Sequence, residues 1–339
     1  MKLKVALIGL GYWGNNIARN LILHPDYELI AIVDTDRHVI SKSHLNLDCE
    51  FYESTQMLPD KLDVVFVATR PNSHFELVRE LASKTQYIVL AKPACSSLSE
   101  AHQLLTTYIR NSHPSIFVDY TYHYSSLINK FKSYYLKDFN TSEALEITSY
   151  RTALGIIQSD VSVIADLLSH DLSIFLKLLP CKSLKVQCIN SSSKKKGKET
   201  SIMANLQWNN GHVLSCHVSW MSPQKIRRIS LVTRNKALVV NEMSNSNSLE
   251  VINFNEVTKF NSLEDKVLRN QKFSLGDTFS LDVPIGESLY LELTELSKAY
   301  KSGATHGLFT LSDAVAIWKV INALEKSLNQ NGIIMEVTL

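Results

Sequence analysis

Four apolar runs in the first third of the chain are short and rich in β-branched residues: KVALI at 4–8, ELIAIVD ending at Asp34, DVVFVAT at 63–69 and YIVLAKP at 87–93. Between them apolar residues recur at helical spacing, as at Ile17, Leu21 and Leu23 after the first run. Continuous apolar strands alternating with helices predict a parallel, doubly wound sheet covered on both faces. From about Ala144 the texture changes. SLKVQCIN, SIMANLQW, HVLSCHVSW, RRISLVT and ALVVNE, joined by polar turns, read as an antiparallel sheet. Two helices are predicted at 286–300 and 311–330, before a strand-like IIMEVTL. SSSKKKGKET, at 191–200, reads as a solvated hairpin loop. The pattern predicts an α/β chain with an N-terminal parallel-sheet domain at 1–120 and a second α/β domain at 121–339. That second domain carries a large, open antiparallel sheet, and its last helices pack back on the first. Few helices follow Pro180 to cover the second sheet, so self-association through it into a homodimer or homotetramer is expected.

Composition narrows the function classes. Of 339 residues, 35 are Lys or Arg and 33 Asp or Glu, a formal charge of +2, which gives no bulk electrostatic case for nucleic acid or an anionic membrane. Any anionic ligand must be held locally. The five cysteines are scattered without a CxxC pair, which predicts reduced thiols and no zinc site. The opening MKLKVALIGLGYWG superficially copies a signal peptide, but its apolar run holds three glycines and no cleavage-type segment follows. No stretch reaches the roughly 20 apolar residues that span a bilayer. A cytoplasmic protein is the expectation.

Gly9, Gly11 and Gly14 form G-x-G-x-x-G directly after a strand and at the start of a helix. The first glycine permits the tight turn, the second lets backbone amides approach a pyrophosphate, and the third lets helix and strand pack closely. Asp34 ends the second strand, 20 residues after Gly14, where a carboxylate accepts hydrogen bonds from an adenosine ribose. The same carboxylate repels a 2′-phosphate, so NAD(H) is favoured over NADP(H). Arg37 weakens that preference without reversing it.

Two further patterns carry chemistry. Lys92 follows a buried strand and precedes Pro93, at the carboxyl end of the sheet where open α/β folds bind ligands; the alternative is a lysine reaching solvent. In VIADLLSHDLSIFLKLLP, at 163–180, Asp166 and His170 are i and i+4, with Ser173 and Lys177 extending a polar stripe. Leu168, Leu172, Phe175 and Leu179 mark the packed face. A helix so apolar is mostly buried, so the stripe faces either a ligand or partner side chains.

GLGYWG, Asp34, ATRPNSH at 68–74, AKP and D-x-x-x-H together resemble the glucose–fructose oxidoreductase / inositol dehydrogenase / rhizopine catabolism family of NAD(P)-dependent sugar oxidoreductases, over essentially the whole chain. VDYTYHYSSLINKFK, RTALGIIQSDVSVIADLLSHDLSIFLKLL and SWMSPQKIRRISLV are similar to its nucleotide-sugar 3-dehydrogenase branch. The resemblance implies a Rossmann domain, with Lys92, Asp166 and His170 converging near the nicotinamide and His170 exchanging the hydroxyl proton. It implies cofactor contacts from Tyr12 and Trp13 in the glycine turn and from Thr69, Pro71, Asn72 and His74. It also implies substrate contacts from Tyr124, Arg151, Lys225 and Arg227, whose charge suits a diphosphate or uronic carboxylate. Three positions depart from the family's pattern: Ala91 stands where Glu usually precedes Lys-Pro, Ala153 replaces an Asn two residues after Arg151, and Tyr120 replaces a His. Oxidation of a free sugar or inositol, or a dinucleotide-sensing protein without catalysis, stay open as alternatives.

Overall fold

The computed structural model describes residues 2–108, 114–139, 143–191, 195, 197–243, 248–257, 272–284 and 286–339. The chain forms two compact units, each assembled from discontinuous segments. The first takes residues 1–125, 158–177 and 286–322; the second takes 126–157, 178–285 and 323–339.

The first unit is built on a six-stranded sheet of β1 (Leu3–Ile8), β2 (Tyr27–Val33), β3 (Glu50–Tyr52), β4 (Leu62–Val67), β5 (Thr85–Ala91) and β6 (Ser115–Asp119). Every pairing is parallel, in the order β3-β2-β1-β4-β5-β6, the doubly wound arrangement the apolar runs predict. Helices α1 (Tyr12–Leu23), α2 (His38–Lys42), α3 (Pro71–Leu81) and α4 (Leu98–Tyr108) connect the strands. In α1 the face bearing Ile17 and Leu21 is buried, whereas Leu23, read as part of it, is 64% exposed. Leu23 lies six residues beyond Ile17, off the 3.6-residue stripe.

A late helix completes this unit. After α5 (Ser126–Asp138) and α6 (Ser169–Leu178) comes α7 (Ser288–Ser302), whose Leu289, Leu293 and Leu296 join the core formed by Val5, Leu7, Val64 and Phe66. Each such buried leucine contributes about 1.5–3 kcal/mol. Polar ties fix its angle: Tyr27 donates to the Leu293 carbonyl at 2.7 Å, Ser297 to Asp26 at 2.6 Å, and Tyr300 to Asp63. The division therefore differs from the one predicted at residue 120. The segment carrying Asp166 and His170 belongs to the first unit, which the sequence pattern had assigned to the second.

The second unit is a nine-stranded sheet, ordered β14-β13-β12-β11-β7-β10-β9-β8-β15. Its strands are β7 (Glu146–Leu154), β8 (Ser183–Asn190), β9 (Ser201–Trp208), β10 (Val213–Ser219), β11 (Met221–Val232), β12 (Lys236–Asn241), β13 (Ser248–Val257), β14 (Lys272–Asp282) and β15 (Met335–Thr338). The expected antiparallel sheet is mixed at one place, because β7 and β10 pair in parallel. A parallel pair needs a crossover, and the long segment after β7, which holds α6, provides it. β9 alternates strictly from Ile202, with Ile202, Ala204, Leu206 and Trp208 inward and Met203, Asn205 and Gln207 outward. The inward side packs on α5 and on the end of α8 (Leu311–Asn329), where Ser327 accepts the Cys188 amide and donates to the Ile333 carbonyl. The outward side exposes Tyr150, Ile189 and Met203. Residues 192–194 and 196 of the expected hairpin loop lie outside the described residues.

Candidate active site

The glycine turn is the most constrained feature of the first unit. Gly9 adopts φ +91°, a conformation L side chains rarely take, with Ala68 and Thr69 within about 3 Å of where a Cβ would stand. A Cβ on Gly14 would fall 2.0 Å from the Gly9 carbonyl oxygen, so α1 rests directly on the turn. On Gly11 a Cβ would meet nothing within 4 Å. Gly11 is the N-cap of α1 and no side chain caps it, so the first amides of α1 open onto space that an anionic group fits.

Asp34 is oriented by this turn. One carboxylate oxygen accepts the Leu10 amide at 2.8 Å, the other the Asp36 amide at 3.0 Å. A cavity of about 450 Å³ lies alongside, lined by Gly9, Asp34, Glu53, Thr69, Arg70 and Asn72 among others. Arg37 is exposed and ion-paired with Glu53. These residues fit a dinucleotide: an open amide cradle, a wall of small residues and two carboxylates.

The other implied cofactor contacts fall into two groups. Pro71 and Asn72 start α3 and Thr69 lies in the loop between β4 and that helix; Thr69 and Asn72 line the cavity. Tyr12 is 87% exposed at the first position of α1. Trp13 turns inward and donates from Nε1 to Asp119 at 2.6 Å. His74 is fully buried, its ring nitrogens 3.1 Å from the carbonyls of Thr69 and Ala94. Burial pushes its pKa down, so the neutral ring donates to one of these carbonyls. It ties the loop after β4 to the loop after Lys92 and is a brace; an open ligand contact is not what the structure gives it.

Lys92 and Asp166 are brought together. Lys92 Nζ donates to Asp166 Oδ1 and to the Asp166 backbone carbonyl, each at 2.8 Å, with both side chains about one-fifth exposed. The helix at 163–180 is not uniform. Ile164–Leu168 forms a π-turn, with the Ser169 amide bonded back to the Ile164 carbonyl, and only from Ser169 does α6 continue as α-helix. Such turns recur at functional sites because they re-aim side chains. Asp166 therefore lies in a wider turn than i,i+4 geometry assumed. The predicted packed face holds, with Leu168, Leu172 and Phe175 fully buried.

His170 lies against aromatic walls. Its ring is 4.8 Å from that of Tyr122, tilted at 58°, and 6.4 Å from that of Tyr120, edge-on. Tyr120 is itself fully buried and packed against Phe309, the ring planes tilted by 52°. Tyr124, expected to touch substrate, is in the core of this unit: 4% exposed, with its hydroxyl accepting the Phe309 amide.

The remaining implied substrate residues belong to the second unit. Arg151 is buried in β7, 3.7 Å from Glu242, and faces Arg227 across the β7–β11 register. Lys225 and Arg227 lie within β11; a register shift between Met221 and Ile226 lets Lys225 stand exposed. Two acids escaped the sequence reading: Asp119, at the end of β6, and Glu292, on α7. Both are 2% exposed. The signal was there, since Glu292 interrupts the stripe Leu289, Leu293 and Leu296 as Asp166 interrupts its own.

A parallel sheet in this strand order, a glycine turn under a helix N-terminus and a carboxylate closing β2 define a dinucleotide-binding α/β protein. Residues 3–120 match the model of the glucose–fructose oxidoreductase / inositol dehydrogenase / rhizopine catabolism group, an oxidoreductase family with an NAD-binding Rossmann fold. A curated relative, myo-inositol 2-dehydrogenase of Thermotoga maritima, is 28% identical over 106 residues, 30% of this chain and 32% of that protein. The match thus spans about a third of the relative's length. Among solved structures, UDP-N-acetylglucosamine 3-dehydrogenase from Acidithiobacillus ferrooxidans superposes with a TM-score of 0.79 at 16% identity, over 97% of this chain and 99% of that one. Myo-inositol dehydrogenase from Lactobacillus casei, in complex with NAD(H) and myo-inositol, gives 0.76 at 16% identity, over 100% and 98%. At these identities the likeness is one of fold.

Proposed function

We propose that this protein is an NAD(H)-dependent dehydrogenase that interconverts a sugar hydroxyl and the matching ketone, at C3 of a nucleotide-linked hexose or hexuronic acid. The observation that carries the reading is the ion pair of Lys92 with Asp166, formed at the carboxyl edge of the same sheet that presents the open glycine turn. When bound, the nicotinamide supplies or accepts the hydride. His170 takes the hydroxyl proton during oxidation and returns it during reduction. Lys92 carries the positive charge that stabilises developing negative charge on the reacting oxygen, and Asp166 holds that ammonium in place. Asp34 and Glu53 favour NAD(H), because a 2′-phosphate would meet two carboxylates with Arg37 already paired.

The nucleotide-linked sugar is supported by the branch motifs and by the basic Arg151, Lys225 and Arg227, groups a diphosphate or uronic carboxylate needs. The inositol dehydrogenase relative supports a polyol as the second reading. A soluble cytoplasmic homo-oligomer associating through the outward face of the large sheet completes the proposal. Exposed Tyr150, Ile189 and Met203 on that face support it, as does the absence, among the described residues, of a helix long and apolar enough to cross a membrane.

The test is cofactor redox change, followed by absorbance, with UDP- and dTDP-linked sugars, their uronic acids and free polyols. Turnover with a nucleotide sugar that His170→Ala abolishes is expected. Turnover with polyols alone would favour the second reading. Tight NADH binding without redox change across the panel would refute catalysis and leave a sensing protein.

A further inference from the structure

Asp119 and Glu292 come from distant parts of the chain, the end of β6 and the middle of α7, and meet inside the first unit. Asp119 Oδ2 accepts the Trp13 indole N–H at 2.6 Å. Asp119 Oδ1 and Glu292 Oε2 are sealed from solvent, and among the described residues no N–H or hydroxyl donor reaches either. The two carboxyl groups lie close enough to interact directly.

Two ionised carboxylates cannot hydrogen-bond to each other, and burying both side by side is prohibitively costly. One proton resolves the contact. The short N–H···O distance from Trp13 suits an ionised acceptor, which assigns the charge to Asp119 and the proton to Glu292. The surroundings agree. Burial drives both groups upward, but hydrogen bonds from Glu292 and Trp13 and the charge of Lys92 draw Asp119 back, whereas Asp119 pushes Glu292 well above the ordinary range. The other titratable groups facing the pair are Tyr27 on β2 and Tyr124 after β6, both held neutral by burial.

We propose that Asp119 and Glu292 share a single proton, held by Glu292, and that this acid pair is a positioning device for the dinucleotide site. It clamps Trp13 in the first turn of α1, and it leaves one buried negative charge in reach of Lys92. The Asp119 carboxylate fixes the indole, the indole fixes the amides that follow Gly11, and Glu292 makes a buried carboxylate tolerable by donating to it. α7 thereby completes the cofactor cradle from a point more than 270 residues beyond it in the chain. The clamp's effect on binding rests on the dinucleotide reading; the shared proton does not.

The shared proton is read by infrared spectroscopy in D₂O at neutral pH, as the carbonyl stretch of a buried carboxylic acid. The band is expected in the unmutated protein and absent in Glu292→Gln. Because Gln still donates to Asp119, Glu292→Gln is expected to keep NADH affinity within about twofold. Asp119→Asn and Trp13→Phe each lose the charged hydrogen bond and are expected to weaken NADH binding by about tenfold or more. The double variant is expected to be no weaker than either single one. Absence of the band, loss of affinity in Glu292→Gln equal to that in Asp119→Asn, or additive losses in the double variant would overturn the proposal. Should Asp119→Asn fail to fold, the infrared band and Trp13→Phe still decide. A protein that shows the band but does not bind NADH would instead refute the dehydrogenase reading.

Discussion

Replacing Gly14 and Gly11 one at a time by Ala separates the two jobs of the glycine turn. At Gly14 the added methyl stands 2.0 Å from the Gly9 carbonyl oxygen and 2.9 Å from its carbon. Both are backbone atoms, so no side chain can swing aside. Gly9 is in turn held by its amide to the Val33 carbonyl at 2.7 Å and by close contact with Ala68. To reach ordinary contact at 3.4 Å, α1 must lift from the turn by about 1.4 Å, which opens the packing under Ile17 and Leu21. Overpacking of this kind costs about 1–3 kcal/mol, and the rigid partner puts Gly14→Ala at the upper end. For a unit of this size that lowers the melting temperature by roughly 5–10 °C. Gly11→Ala adds its methyl to open space, with backbone φ −69° that Ala adopts freely, so stability stays within about 0.5 kcal/mol. The same methyl occupies the surface a pyrophosphate must touch, and NADH affinity falls by about tenfold or more. Differential scanning calorimetry and fluorescence titration with NADH read the two effects. Equal loss of stability in both variants, or unchanged NADH binding in Gly11→Ala, would refute the reasoning.

Asp34→Ser removes a carboxylate from the cavity and one acceptor from the Leu10 amide, so NADH binding weakens while the NADPH-to-NADH affinity ratio rises by about tenfold; an unchanged ratio from titration would remove Asp34 from cofactor choice. His74 is buried neutral, with its pKa below the ordinary 6.5, so below about pH 6.5 the unfolded chain binds a proton that the folded one does not. Stability that is present at pH 7 is therefore lost as pH falls, by up to about 1.4 kcal/mol per pH unit until the folded pKa is reached. Urea midpoints between pH 7.5 and 5.5 should fall less steeply in His74→Gln than in the unmutated protein, and parallel slopes would contradict the assignment.

The parallel sheet was legible because its information is local: each strand is one apolar run, and Gly9, Gly11, Gly14 and Asp34 declare themselves by spacing alone. Lys92 and Asp166 were legible as exceptions, charged residues where burial was expected. What escaped depends on partners far along the chain. Tyr124 looked like a ligand contact until the Phe309 amide, 185 residues away, was found on its hydroxyl. The π-turn at Ile164–Leu168 leaves the apolar spacing almost as an α-helix would, so nothing in the pattern marked it. The outer strand β14 exposes Leu275 and Phe279 and lacks the alternation by which β9 is recognised.

The discontinuity of the first unit governs how it can be made. A ribosome completes the glycine turn, Asp34 and Lys92 early, yet the lysine's partner Asp166 arrives 74 residues later and Glu292 more than a hundred after that. Until α7 emerges, the apolar wall that Leu289, Leu293 and Leu296 cover faces water, and Trp13 and Asp119 lack the proton donor that closes their contact. The nascent chain therefore waits with an unfinished nucleotide site while strands β7 to β14 of the large sheet are synthesised. A fragment cut at residue 120, where sequence motifs would place the boundary, would keep every recognisable cofactor residue and lose the helix that holds them in register.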